Sequence, residues 1–458
     1  MHPHSSPGPT ALPARAKPVP SAPGRLPVLG HALPLFRRPL DFLRSLERTG
    51  PLVRVDIGPV KMIVVTDAEL TRQVLQDSRT FDKGGALFDK VREFTGDSLL
   101  TSRFETHRRQ RRLMQPAFGR ASVRGYAPIM NEMIDAVLGR WSTGTIIDMA
   151  AATYDITARA AARILFAADV AGPAAERVVA ALSVYLHGLF VRMMDPTRVI
   201  ARIPIPANVR YNRAVNVLHR SVDEIIDAYR AAGVDHGDLL SRLLTAVDEN
   251  GDALTPREIH DQVITVFLAG IETTASNLAW SLYLLGRHPD AAARVCAEVD
   301  TVLGGRPATW DDLERLTQVR YAITEALRLY PPGWIFTRFA TRDVVLGEHL
   351  LPEGTGLAYS PYILHHQQAV FDRPDTFDPD RWSPERASAL PANSFIPFGG
   401  GVHKCIGDTF GMTEAALALA TIYARWYVGP PDDRPVQPAP RRATLTPGRL
   451  PMRVYRRV

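Results

Sequence analysis

Apolar residues recur with a helical period over most of this chain, and with a period of two in only a few short runs. Val53-Arg54-Val55-Asp56-Ile57 and Met62-Ile63-Val64-Val65 flank Gly58-Pro59, which predicts a hairpin. Short amphipathic helices are expected over Leu40–Leu46 and over residues 68–76. Beyond about residue 104 the pattern predicts long amphipathic helices with few breakers. The clearest starts at Thr255-Pro256-Arg257-Glu258. Thr255 suits the N-cap, Pro256 the first helical position, and Glu258 completes a capping box. No proline follows until Pro289, so about 30 residues can stay helical over roughly 45 Å. The middle of this helix is apolar, so it is expected to be buried. After Pro331, strand-like runs (Val344–Leu346, Gly356–Tyr359) alternate with Pro, Gly and Asp. A loop-rich stretch leads to Phe395-Ile396-Pro397-Phe398-Gly399-Gly400-Gly401. Ile406 to Trp426 is then rich in Ala and Leu and free of proline, which predicts a second buried helix.

No internal repeat and no interdomain linker is visible. The expected fold is mainly α with a minor β portion, one large domain over residues 25–458. Residues 1–24 read as a Pro-rich, flexible N-terminal arm, since nine prolines fall in the first 34 residues. Of 458 residues, 46% are hydrophobic and 22% charged, which excludes disordered, collagen-like and coiled-coil chains. Only Cys296 and Cys405 carry thiols, which excludes a disulfide scaffold and favours a reducing compartment. The net charge of +6 allows an acidic partner and gives no reason to expect nucleic acid. The apolar run Val263–Ile271 is about half the roughly 20 residues that a bilayer span needs. It also runs into Glu272, and the N-terminus shows no signal-peptide core. A cytoplasmic protein with no membrane span is expected.

Cys405 lies in Phe398-Gly-Gly-Gly-Val-His-Lys-Cys405-Ile-Gly407, at a predicted loop-to-helix junction. A helix N-terminus and the neighbouring Lys404 favour a thiolate. The glycines let backbone approach a flat ligand, and free N–H groups can bond the sulfur. Cys296 has no such surroundings and reads as a small buried hydrophobe. The stretch resembles the haem-binding signature of the cytochrome P-450 monooxygenases, with every signature position filled. The resemblance implies the P-450 fold, with haem b (iron protoporphyrin IX) between the long central helix and the helix after the cysteine. It makes Cys405 the axial thiolate, which favours O–O cleavage, and Phe398 part of the cofactor-binding segment.

Two further stretches carry the resemblance. Glu325 and Arg328 are spaced to pair on one helical face, as solvated surface pairs often are. Followed by Pro331-Pro332 and Pro379-Asp380-Arg381-Trp382, they resemble the family's E-x-x-R helix and its downstream arginine. This implies a structural network of Glu325, Arg328 and Arg381 behind the haem. In Ala269-Gly270-Ile271-Glu272-Thr273-Thr274, an acid and hydroxyls inside an apolar helix are costly unless used. A small-residue crossing, with Thr bonding back to the helix, also accounts for them. The stretch resembles the family's oxygen-activation motif. That implies a catalytic pair: Thr273 helps hold and protonate dioxygen, and Glu272 lies on the proton path. Haem propionates need cationic donors, and His403, Arg338, His107 and Arg111 match the family's positions. Many members carry tryptophan where His107 stands.

The implied reaction inserts one oxygen atom of O2 into a C–H or C=C bond. No G-x-G-x-x-G follows a strand and no P-loop is present, so a separate ferredoxin and ferredoxin reductase are expected as electron donors. Arg108, Arg109, Arg112, Arg120 and Lys404 are the expected docking face. The segments 81–100, 186–194 and 333–337 are expected around an apolar small-molecule substrate, with Phe88, Phe94, Leu189, Phe190, Phe267, Trp334, Ile335 and Phe336 as candidate lining. Overall, the chain resembles actinobacterial sesquiterpene oxidases of secondary metabolism and antibiotic biosynthesis, of the pentalenene oxygenase and epi-isozizaene monooxygenase type. A peroxide-driven peroxygenase and a non-catalytic haem sensor remain the alternatives; neither needs Glu272 and Thr273.

Overall fold

The computed structural model describes residues 17–166, 168–193, 203–248, 250–439 and 442–457. Thr255 starts the longest helix as expected. Its Oγ1 accepts the Glu258 N–H at 3.2 Å, and Glu258 Oε2 accepts the Thr255 N–H at 2.9 Å. The helix runs over 32 residues, Pro256–Arg287. Pro289 then opens the next helix, since its ring cannot continue the preceding one.

In chain order the main helices are α1 (Pro39–Leu46), α2 (Ala68–Gln76), α3 (Ala86–Thr95), α4 (Phe104–Met114), α5 (Arg120–Leu138), α6 (Met149–Leu165), α7 (Ala168–Met193), α8 (Pro206–Ala232), α9 (Pro256–Arg287), α10 (Pro289–Leu303), α11 (Thr317–Leu329) and α12 (Asp408–Arg425). The strands are β1 (Leu52–Ile57), β2 (Val60–Val65), β3 (Phe81–Asp82), β4 (Ile146–Asp148), β5 (Phe336–Ala340), β6 (Val344–Leu346), β7 (His349–Leu351), β8 (Gly356–Tyr359), β9 (Trp426–Gly429) and β10 (Pro451–Arg456). They form a five-stranded sheet in the order β1-β2-β8-β5-β3, a three-stranded sheet β4-β10-β9, and the hairpin β6-β7. The predicted hairpin is β1–β2, with Leu52 opposite Val65 and Ile57 opposite Val60. The helix expected over Ile406–Trp426 is shorter at both ends. Gly407 is its N-cap, and Trp426 leaves the helix to begin β9.

Two apolar cores meet along α9. Its N-terminal half, Ile259 to Ile271, packs with α3, α4, α6, α7 and α8. Its C-terminal half, Leu278 to Leu285, packs with α5, α6, α10, α11, α12 and the three-stranded sheet. Between Ile271 and Leu278 the helix belongs to neither core. By length and composition alone α9 could cross a membrane, but 72% of its most apolar window is buried inside the fold. The fold accounts for that hydrophobicity.

The arm expected over residues 1–24 lies outside the described residues up to Ala16. From Lys17 the chain is fastened to the sheets. The Lys17 N–H bonds the Glu348 carbonyl at 3.1 Å, the Ala22 N–H bonds the Arg54 carbonyl at 2.9 Å, and Ala22 is buried. Residues 17–22 therefore belong with the folded part.

Glu325 and Arg328 are both fully buried. Arg328 donates to Glu325 through Nε at 2.9 Å and Nη2 at 2.7 Å. It also reaches the carbonyls of His365 (2.8 Å), Pro374 (2.6 Å) and Thr376 (3.1 Å). Glu325 accepts from Trp382 Nε1 at 3.0 Å, the Asp378 N–H at 3.2 Å and Arg381 Nε at 3.4 Å. A surface pair is thus excluded. Glu325→Ala strands two buried guanidinium groups, which costs about 3–5 kcal/mol. Urea denaturation of the variant should show a correspondingly lower midpoint; an unchanged midpoint would refute the structural role.

Candidate active site

The loop before α12 is held from both sides. His365 Nε2 accepts the Ile396 N–H at 2.9 Å. The Gly399 N–H bonds the Ile396 carbonyl at 3.0 Å, and the Cys405 N–H bonds the Phe398 carbonyl at 2.9 Å. Gly401 sits at φ +62°, and a Cβ there would stand 2.0 Å from the Leu75 carbonyl oxygen of α2. At Gly401 the tight packing of the loop on α2 already requires a residue without a side chain.

The Cys405 side chain keeps accessible surface, yet protein surrounds it closely enough that burial pushes the thiol pKa up. Both observations fit a sulfur on the wall of an interior cleft. The Gly407 amide and the charges of Arg111 and Lys404 pull the other way, while Asp408 adds to the rise. Lys404 is itself paired with Asp408 at 2.6 Å. The helix-end amide and Lys404 act in the expected direction, toward the thiolate, and burial acts more strongly against it. A metal ion bound to sulfur would remove that proton outright. Among the described residues no group of three or more His, Cys, Asp or Glu could hold a metal. A metal at Cys405 would have to bring its other ligands with a cofactor.

Five basic side chains gather near this loop. His107 and Arg111 lie one turn apart on α4, Arg338 is on β5, His403 is in the loop, and Lys83 follows β3. The sequence reading missed Lys83, whose only local signal is the Gly84-Gly85 that follows it. His107 and His403 meet edge to face at 4.3 Å. Lys83 Nζ donates to the Leu99 carbonyl at 2.6 Å. Arg111 reaches the carbonyls of Lys404 and, at 3.4 Å, Val402. Arg338 donates to its neighbour's carbonyl at 2.9 Å and to Tyr359 Oη at 3.4 Å. His107, Arg338 and Lys83 are buried, and so is the His403 side chain. His107 Nδ1, Arg338 Nε and both His403 ring nitrogens have no hydrogen-bond partner. Burial first, then the charges of Lys83, Arg111 and Arg338, pushes His107 down to about 2. Burial, and then chiefly Arg338, lowers Lys83 far below the usual lysine value. His403 is lowered by burial and by Lys83. The nearby carboxylate of Asp82 is 3.9 Å from His403 Nε2 and accepts the backbone N–H groups of Lys83 and Phe104 at 2.7 and 3.1 Å. Desolvated donors without partners are costly. A ligand carrying two carboxylates, as haem does, would satisfy them.

The seam of α9 forms another wall. Ala269 is exposed although Leu268 and Ile271 beside it are buried. A Cβ on Gly270 would meet nothing within 4 Å, so packing does not explain that glycine and open space does. Thr273 Oγ1 donates to the Ala269 carbonyl at 2.6 Å, the back-bonding that was the competing explanation. Glu272 Oε2 accepts from Thr444 Oγ1 at 2.7 Å. Burial raises the Glu272 carboxyl, offset in part by Thr444, Arg442 and His187. Thr274 is buried, and a Cβ on Gly411 of α12 would stand 3.3 Å from its Oγ1. The helix that follows Cys405 therefore packs against α9 one residue beyond Thr273.

The remaining candidates separate. Phe94, Leu189 and Phe267 pack in the core around the N-terminal half of α9. Phe190, Trp334 and Ile335 pack instead with Leu35, Phe42 and Tyr362. Phe336 stacks on Tyr359 at 5.5 Å, and Phe88 lies 5.6 Å from the Arg338 guanidinium. They do not form one continuous wall. Of the basic face, Arg109 pairs with Glu258, Arg120 with Glu314 at 2.6 Å, and Lys404 with Asp408 at 2.6 Å. Its positive charge is partly neutralised within the chain.

The family model for Cytochrome P450 matches residues 20–452. The chain is 46% identical to pentalenene oxygenase of Streptomyces avermitilis over 437 residues, covering 95% of this chain and 97% of that one. It is 45% identical to cyclooctatin synthase of Streptomyces melanosporofaciens, covering 94% of each. It is 43% identical to cyclooctat-9-en-7-ol 5-monooxygenase of the same organism, covering 92% of each. Among solved structures, the haem domain of cytochrome P450DA superposes with a TM-score of 0.86 at 29% identity, over 97% of this chain and 98% of that one.

Glu414 of α12 was not anticipated. Burial pushes its carboxyl up to about 8, and its Oε1 has no partner. The folded state thus binds a proton that the unfolded chain releases near its ordinary value. This group's stabilising contribution is complete below the ordinary carboxyl value and falls as pH rises from there to about 8. Glu414→Gln should remove that slope and raise stability at pH 8 relative to pH 5. Thermal melts across this range test it; parallel melting curves for variant and parent would refute it.

Proposed function

The chain belongs to the cytochrome P450 family and is a haem-dependent monooxygenase, and from that premise we propose that it oxidises an apolar terpenoid, a sesquiterpene hydrocarbon, with Cys405 as axial ligand of haem b. The observation that carries the cofactor assignment is the group of buried, unpartnered donors beside the Cys405 loop. His107, Arg111, Arg338 and His403, joined by Lys83, would hold the propionates. Phe398 holds Cys405 through its carbonyl. When bound, the haem supplies the oxygen chemistry: one atom of O2 enters the substrate and the other leaves as water.

The chain's own residues shape the rest. Ala269 and Gly270 leave space beside α9 for substrate and O2. The Thr273 hydroxyl, which donates to the Ala269 carbonyl, can turn to donate into that space. Glu272 is the carboxyl nearest in sequence and is raised by burial, which suits a group that must take up and release protons. The apolar surroundings exclude water. Likeness to pentalenene oxygenase, cyclooctatin synthase and a cyclooctatenol monooxygenase supports a terpenoid of secondary metabolism.

Electrons come from a redox partner. We assign a cytoplasmic ferredoxin with its reductase, because the chain shows no nucleotide-binding glycine pattern of its own. Arg108 and Arg112 are exposed on α4, the helix that carries His107 and Arg111, so an acidic partner docked there lies close to the propionate cluster. The domain expected over residues 25–458, with residues 17–22 fastened to it, acts as one catalytic unit.

Three measurements test this reading. The ferric protein, titrated with a panel of sesquiterpene hydrocarbons, should show a saturable Soret shift toward high spin with at least one of them. A thiolate-type spectrum with no shift would discard the substrate class and keep the enzyme class. Cys405→Ser should lose the thiolate spectrum, and retaining it would overturn the ligand assignment. Thr273→Ala should keep haem but divert reductant into peroxide, lowering product per reductant by roughly tenfold or more. Normal coupling in that variant would sink the proton-transfer role.

A further inference from the structure

Three residues of α9 at intervals of four, Glu272, Ser276 and Trp280, lie along one stripe of the helix. All three bond the loop 442–450. Thr444 Oγ1 donates to Glu272 Oε2 at 2.7 Å. Ser276 Oγ and Trp280 Nε1 donate to the Leu445 carbonyl at 2.7 and 2.8 Å. The loop is tied down on either side of Thr444. Trp334 Nε1 donates to the Ala443 carbonyl at 3.1 Å, and the Leu445 N–H bonds the Pro332 carbonyl at 3.2 Å. Held at Ala443 and Leu445, the Thr444 side chain has little freedom. Its hydroxyl is fixed on the carboxylate, while Thr273, about 100° round the helix, bonds back to Ala269.

We infer that Thr444 is a positioning residue for proton delivery: its hydroxyl holds Glu272 against the C-terminal loop and sets both the direction and the ionisation of that carboxyl. This rests on reading Glu272 as part of the proton path. The other groups acting on Glu272 are Arg442 of the same loop and His187 of α7, both of which favour the carboxylate. Tyr154 of α6 also faces it; its hydroxyl is buried without a partner, and the Glu272 charge helps keep it protonated. With Arg442, His187 and Tyr154 unchanged, removing the Thr444 donor takes away a bond that favours the ionised form. The carboxyl must then titrate at higher pH.

The test is an infrared titration of the haem-loaded protein, with Glu272→Gln as the reference that isolates the Glu272 band. Thr444→Val should move the midpoint up by about one pH unit. The pH profile of product per reductant should move with it, and product per reductant should fall roughly threefold at neutral pH. Thr444→Ser, which keeps the hydroxyl, should restore both. If the valine variant fails to load haem, Thr444→Ala serves in its place and must show the same shift. A Glu272 titration and pH profile unchanged by loss of the hydroxyl would overturn the inference. If Glu272→Gln keeps full coupling, the proton-path reading fails on its own, and a Thr444-dependent midpoint still shows that Thr444 positions the carboxyl.

Discussion

The ion pair between Glu325 and Arg328 is the contact from which the active-site loop hangs. Both groups are out of water, so neither can be left alone without a cost of several kcal/mol. That cost fixes their neighbours. Arg328 holds the His365 carbonyl, and the His365 ring accepts the Ile396 N–H through Nε2. The ring must therefore be neutral with its proton on Nδ1, which agrees with the lowering of His365 by burial and by the charges of His366 and Arg328. From Ile396 the bonds run to Gly399, and the carbonyl two residues on from Ile396, that of Phe398, receives the Cys405 amide. Trp382, bonded to Glu325, packs its ring on Phe395 at 4.4 Å. A buried charge on α11 thus sets where a sulfur stands some 80 residues later in the chain.

The chemistry is confined to the seam where the two apolar cores fail to merge. A continuous core would have covered Ala269 and Gly270, at the edge of that seam, with side chains. Here α9 crosses from one core to the other, and its middle turns face a cleft. The groups around that cleft share a physical condition: each is desolvated further than its own partners compensate. The thiol of Cys405 and the carboxyl of Glu272 are raised, and the imidazoles of His107 and His403 are lowered. Such a site is unfavourable for the bare polypeptide and becomes favourable once a dianionic, metal-bearing ligand occupies it. Cofactor binding and folding are then strongly linked.

What could be read in the sequence was local. Cys405 with its glycines, Glu325 with Arg328, and Glu272 with Thr273 are recognisable because helical spacing and turn chemistry operate over a few residues. The capping box at Thr255 was legible for the same reason. Contacts between segments distant in the chain were not. His365 and Thr444 carry no pattern that marks them, Lys83 has only the two glycines after it, and each acquires its role from a partner elsewhere in the fold. Two effects depend on packing that the sequence does not display: burial outweighs Lys404 at the thiol, and the Leu75 carbonyl leaves no room for a side chain at Gly401. The candidate apolar residues divide among three clusters, with Phe88 in none of them, because hydrophobicity alone does not say which core a residue joins.

The parallel pairing of β2 with β8 sets Met62 opposite Gly356 and Val65 opposite Tyr359. Nearly three hundred residues separate these partners, so loop-closure entropy falls on this step. On the ribosome the β1–β2 hairpin emerges early, while the strand that completes it is among the last third of the chain to be made. Until then the outer edge of β2 presents unpaired amide and carbonyl groups in an apolar strand, a template for intermolecular pairing. The nascent N-terminal hairpin therefore stays unpaired on that edge for as long as the chain up to β8 takes to be made, and shielding it over that interval favours the native sheet over aggregates.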